Sequence, residues 1–198
     1  MSGELGTVGT LSFFPTKNLG AWGDGGMMVT QDDAMAARLK SLRMHGGTRE
    51  YFHDEVGTNS RLDNLQAAIL LAKLAYLDKW NAGRRAIAAR YTEAFRGVPG
   101  VRPPRIDPAN EHTFHQFTIR AERRDTLLGH LKAQGIGHKV YYPLALHLQP
   151  CFQHLGYRRG RLPITEAAMD SVVSLPIYPE LTAAQQNAVI AAVTGFYA

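Results

Sequence analysis

The sequence predicts a mixed α/β chain: a glycine-rich strand pair, a helix-dominated middle, and a small α+β unit at the end. Three observations predict it. Residues 5–30 are almost uncharged and punctuated by Gly20, Gly23, Gly25 and Gly26. Residues 59–95 carry the strongest helical periodicity in the chain. From residue 113 onward the pattern changes to short strands and helices in turn.

Thr10–Phe14 and Gly26–Thr30 read as short strands, with the glycines between them marking turns or close backbone approaches. Gln31-Asp32-Asp33 opens a helix with acids at its positive end, and the helix runs to about Met44 before Gly46-Gly47 stops it. Residues 47–58 read as loop. From Asn59, Leu62, Leu65, Ile69 and Ala72 fall on one stripe, widened by Leu70, Leu74, Leu77 and Trp80. So broad an apolar band packs on two sides. Asn81-Ala82-Gly83 marks a bend or a break, and Gly97, Pro99 and Gly100 end the helical stretch.

Residues 98–111 are rich in proline and polar side chains and read as a connection, dividing the chain into 1–97 and 98–198. Strand 113–120, helix 124–134 and strand 136–142 follow, with Gly135 placed as the helix stop. Residues 143–161 read as a long loop, 164–171 as a short helix, 172–177 as a strand and 182–194 as a closing helix.

Composition excludes several classes. Of 198 residues, 45% are hydrophobic and 20% charged, which are globular values. No apolar run approaches the roughly eighteen residues of a membrane helix, and the N-terminus lacks the basic start and continuous apolar core of a signal peptide. Cys151 is the only cysteine, which rules out a disulfide framework and a cysteine zinc site and fits a reducing, cytoplasmic setting. The net charge of +5 permits an anionic ligand, but the bases are mostly interleaved with acids and do not form a nucleic-acid patch. One tight cluster exists: Arg158, Arg159 and Arg161, around Gly160. His112 and His115 have a metal-like spacing, but beside a strand it points them to opposite faces with no third ligand, so no metal site is expected.

The chemistry concentrates near the N-terminus. Between Glu4 and Asp24 the only charged side chain is Lys17. It reads either as a surface lysine snorkelling near a turn or as an amine at low dielectric, able to form a Schiff base with a carbonyl compound. Ser12, five residues earlier, could hold a phosphate together with the backbone of the glycine turns. A Schiff-base lysine beside a phosphate cradle points to pyridoxal phosphate. Asn59 reads as a further phosphate donor or as a plain helix cap, and Arg61 as an anion partner or a solvated side chain. Cys151 reads as a buried small side chain.

The stretch Ser12-Phe-Phe-Pro-Thr-Lys17-Asn-Leu-Gly-Ala-Trp-Gly-Asp-Gly-Gly26 resembles the lysine segment of the DegT/DnrJ/EryC1/StrS aminotransferases. Further stretches resemble the same family in order: Leu42-Arg-Met-His-Gly46, Gly57-Thr-Asn-Ser-Arg-Leu-Asp-Asn-Leu-Gln-Ala-Ala68, Phe114-His-Gln-Phe117, Tyr141-Tyr-Pro-Leu-Ala-Leu-His147 and Leu175-Pro-Ile-Tyr-Pro-Glu-Leu181. The resemblance implies a pyridoxal-phosphate enzyme of fold type I, represented by the C-terminal portion of its large domain plus a small α+β C-terminal domain. It implies amination of a keto-sugar on a nucleotide-linked hexose, with glutamate as the expected amino donor. Lys17 is then the Schiff-base lysine and proton carrier, and Ser12 touches the cofactor phosphate. Asn59 reaches the phosphate of a neighbouring subunit's cofactor, so the resemblance implies a homodimer with shared sites. His115 and His147 match histidines near the sugar. A histidine replaces the lysine in the dehydratase branch, so Lys17 favours transamination.

Thr58 departs from a common tyrosine. The larger departure is length, since family members run to nearly twice this size. Their first half supplies the acid for the pyridine nitrogen, the aromatic stacked on the ring and a Gly-Thr phosphate turn; neither Asp24 nor Asp33 is assigned such a role. Two other readings stay open: an inactive C-terminal fragment serving at most in assembly, and a phosphate-binding α/β domain without chemistry.

Overall fold

The computed structural model describes residues 6–198, which form two compact units, residues 6–78 and 79–198. The division lies near the start of a helix and not in the 98–111 connection, because that helix places its buried side chains in the second unit's core.

In the first unit, β1 (Gly9–Ser12) pairs antiparallel with β2 (Gly26–Val29), from Gly9 opposite Val29 to Ser12 opposite Gly26. The intervening residues fold back tightly: Phe13 N donates to Gly25 O at 2.8 Å and Ala21 N to Phe13 O at 2.8 Å. α1 (Asp33–Leu42) is capped by Asp32, whose carboxylate accepts from Met35 N at 3.0 Å. After α1 the chain reverses through Gly46, whose φ of +80° and whose Cβ position, 1.7 Å from Glu55 O, admit only glycine. The long helical stretch is two helices, α2 (Asn64–Leu74) and α3 (Leu77–Ala94). They part at Ala75–Tyr76, whereas Gly83 lies undisturbed inside α3. Propensity placed the break at the glycine, but one glycine costs a helix only about 1 kcal/mol.

The second unit holds a closed core. β3 (Val101–Arg102), β4 (Phe117–Ala121) and β5 (Val172–Leu175) make an antiparallel sheet in the order β3–β4–β5, with Phe117 opposite Leu175 and Ile119 opposite Val173. The period of two along β4 sends Phe117, Ile119 and Ala121 inward. Against them pack Ile87, Ala88 and Tyr91 of α3, Phe95 just after its end, Leu127 and Leu131 of α4 (Arg124–Ala133), and Val189 and Val193 of α6 (Ala183–Tyr197). The Tyr91 and Phe117 rings lie 5.1 Å apart, and Tyr91 Oη donates to Pro176 O at 3.0 Å. Thr182 and Gln185 form a capping box at the start of α6.

Sequence and structure differ at three places here. The strand expected over 113–120 begins only at Phe117. The strand expected over 136–142 is a single bridge, Lys139 to Ser174. The loop 143–161 contains two 3₁₀ segments, Leu146–Leu148 and Pro150–Leu155, before Pro163 opens α5 (Pro163–Ser171).

Candidate active site

Ser12 and Lys17 are placed by one piece of backbone. Ser12 ends β1, and its Oγ accepts from Phe14 N at 3.3 Å, leaving its own hydroxyl proton to donate elsewhere. Lys17 follows in a turn closed by Lys17 N to Phe14 O at 2.9 Å. Its side chain is half-buried, and among the described residues no carboxylate pairs with the amine. The turn is rigid for identifiable reasons. A Cβ on Gly20 would sit 2.3 Å from Pro15 O, so only glycine lets the two strips of backbone meet. Two α2 side chains then hold the strip: Lys73 Nζ donates to Gly20 O, and Gln66 Oε1 accepts from Trp22 N at 2.8 Å. The sequence reading missed Gln66 and Lys73. Their spacing of seven residues on α2, two turns of one face, was the available signal.

Asn59 is not a helix cap. It lies five residues before α2, on an extended strip bridged to Met44, and Asp63 stands at the α2 cap position. The strip is fixed by Thr58 N to Leu42 O at 2.8 Å and Ser60 N to Arg43 O at 3.0 Å. Asn59 Oδ1 accepts from Arg61 Nε at 3.1 Å, which orients the amide and leaves its N–H₂ free to donate to an anion. Beside this strip lies a cavity of about 820 Å³ lined by Lys40, Arg43, His45, Arg49, Tyr51 and Arg61 among others. Four cations share it with one acid, Glu50, so it favours an anionic ligand.

The two histidines lie in the second unit in different surroundings. His115 is half-buried and lines a cavity of about 380 Å³ with His138, Lys139 and Tyr141. Its backbone is held by Arg84, a buried guanidinium that donates to Phe114 O at 3.1 Å, His115 O at 3.3 Å and Ile177 O at 2.9 Å. Burial lowers the pKa of Arg84 from its ordinary value, the charge of Glu180 opposes that shift, and the three carbonyls give the buried guanidinium its hydrogen-bond partners. His147 is buried, and its Nε2 meets Glu166 Oε1 at 3.0 Å. Glu166 also accepts from Gly160 N at 2.7 and 2.9 Å and Leu162 N at 3.2 Å. These backbone donors, with His147, hold its carboxyl below the usual carboxylate range. Glu166 went unnoticed in the sequence because a first-turn helix acid usually faces solvent. Cys151 is exposed, contrary to the buried reading.

The family model for DegT/DnrJ/EryC1/StrS aminotransferases matches residues 1–194. The chain belongs to this family. It is 51% identical over 98% of its length to a pleiotropic regulatory protein of Geobacillus stearothermophilus, of which it covers 53%. It is 45% identical over 96% of its length to a dTDP-3-amino-3,4,6-trideoxy-alpha-D-glucose transaminase of Streptomyces venezuelae, of which it covers 50%. A structure of NtdA from Bacillus subtilis with bound cofactor PMP aligns over 98% of this chain and 46% of its own, with a TM-score of 0.87 and 30% identity. The chain thus spans about half the length of the curated relatives it matches, and its fold is the corresponding part of fold type I. The family is pyridoxal-phosphate dependent, and no described helix is long and apolar enough to cross a membrane.

Proposed function

We propose that this chain carries the lysine-bearing half of a nucleotide-sugar aminotransferase active site, moving an amino group, expected from glutamate, to a keto-sugar. The observation that carries the reading is Lys17: a lysine free of carboxylate partners among the described residues, on a turn pinned to α2. When bound, pyridoxal phosphate supplies an electron sink that makes the substrate carbon acidic.

The rest is the work of this chain's side chains. Lys17 Nζ takes the proton from one carbon and returns it to the other as a general base and acid. The Ser12 hydroxyl donates to the cofactor phosphate. The Asn59 amide donates to a phosphate in the site of a second subunit, which makes the working unit a homodimer. The cationic cavity beside Asn59 favours the anionic end of a nucleotide-linked sugar. His115, held by Arg84 through its carbonyl, faces the sugar pocket, and His147 supports the neighbouring loop through Glu166. The setting is cytoplasmic, where nucleotide-sugars are made.

The test is chemical. The chain is mixed with pyridoxal phosphate, reduced with borohydride and digested. The expected result is the cofactor mass on the Lys17 peptide and its loss in Lys17→Ala. Label spread over exposed lysines, or unchanged in Lys17→Ala, overturns the assignment. A second reading, an assembly fragment that does not hold the cofactor alone, is favoured by the exposed Trp22, Leu65 and Leu71 of the first unit. It predicts no labelling of Lys17 at all.

A further inference from the structure

The arginine cluster of the second unit is not used by the proposed chemistry. Residues 156–162 leave the second 3₁₀ segment at Gly156, φ +74°, and turn again at Gly160, φ +91°. Across the second hinge Arg161 N donates to Arg158 O at 3.1 Å, so the two arginines project from one closed turn. The loop encloses a concavity of about 660 Å³ lined by Leu155 to Arg161.

The turn is built from inside. Glu166 is buried, and both its oxygens accept from Gly160 N while one also accepts from Leu162 N and meets His147 Nε2. A second hold is the edge-on contact of the His147 and Tyr157 rings, 6.2 Å apart. The nearest buried carboxylate is therefore consumed by backbone donors and a histidine and neutralises neither Arg158 nor Arg161. Arg159 pairs with Asp170 at 3.6 Å. Among the described residues Arg158 and Arg161 pair with no carboxylate. Two such guanidinium groups on a loop fixed by a buried acid offer the planar donor pairs that suit phosphate oxygens.

We propose that Arg158 and Arg161 form a phosphate-binding subsite in the second unit, positioned by Glu166 and His147. The ligand class is a phosphate or diphosphate group. It comes either from a nucleoside diphosphate, as in a nucleotide-linked sugar, or from a free phosphate anion. The proposal does not depend on Lys17 carrying a cofactor.

The first unit has its own cationic cavity, so the test must be site-resolved. The full chain is labelled with nitrogen-15 and titrated with inorganic pyrophosphate and, separately, with uridine diphosphate, following the Gly156 and Gly160 amide resonances. The expected result is a saturable shift of both. Its midpoint should move at least ~10-fold higher in Arg158→Gln/Arg161→Gln, a surface change that leaves the thermal midpoint in place. Glu166→Gln is expected to weaken the same midpoint by loosening the turn. If uridine diphosphate saturates at least ~10-fold below pyrophosphate, the source is a nucleoside diphosphate; equal midpoints assign a free phosphate anion. An unshifted loop, or the same midpoint in wild type and the double variant, overturns the proposal. A wild-type result here beside failed Lys17 labelling separates the two readings.

Discussion

The two units answer the problem of burying apolar surface in opposite ways. The second buries seventeen side chains in one cluster, from Ile87 to Val193. In the first, Ala21 and Leu70 are the buried apolar side chains among the described residues, while Trp22, Tyr51, Val56, Leu65 and Leu71 stand 67% exposed or more. A chain that pays ordering entropy without burying surface gains little stability. The first unit is therefore held mainly by hydrogen bonds and glycine-tight turns, the second by packing. The candidate lysine sits on the hydrogen-bonded unit, where position comes from Gly20, Gln66 and Lys73 and not from a core.

The largest expected effect tests whether packing holds only one unit. Phe117→Ala should cost about 4 kcal/mol, the range for a fully buried aromatic in a closed core. Leu70→Ala, on the loosely packed side, should cost about 2 kcal/mol or less, because its surroundings can collapse or hydrate. Urea unfolding of both variants checks this, and equal costs would break the comparison. Next comes Arg84→Met, which leaves the carbonyls of Phe114, His115 and Ile177 without their donor; about 3 kcal/mol is expected by the same measurement. The smallest effect is on acid stability. Glu166 has its folded pKa below the ordinary value, so the unfolded chain binds the proton more readily. Its contribution is complete above the unfolded carboxylate value, about 4.3, and falls as pH drops through the lower folded value. Glu166→Gln should flatten that acid-side decline, read from unfolding midpoints between neutral pH and the acid limit.

The family and the position of the lysine were legible in the sequence because they rest on short local strings, such as Ser12 through Gly26. Helices with paired start and stop signals were legible for the same reason: Asp32 before α1, Gly135 after α4 and Thr182 before α6 all act within one turn. What the sequence hid is set by distant partners. The α2–α3 break at Ala75–Tyr76 carries no glycine or proline. The run after Ile136 pairs with β5 only through Lys139, so its strand-like composition is not matched by a ladder. Arg84 and Glu166 look like ordinary surface charges until carbonyls and amides from 30 to 93 residues away, or from a hinged loop, close around them.

The pinning of the lysine turn to α2 has a mechanical consequence. The turn is a cantilever whose support is a helix it does not belong to, joined through two side-chain bolts at Gln66 and Lys73. A load on α2 is then delivered to Lys17 as displacement, without any contact between the load and the amine. Trp22, bolted by its backbone while its indole stands in solvent, moves with the same beam.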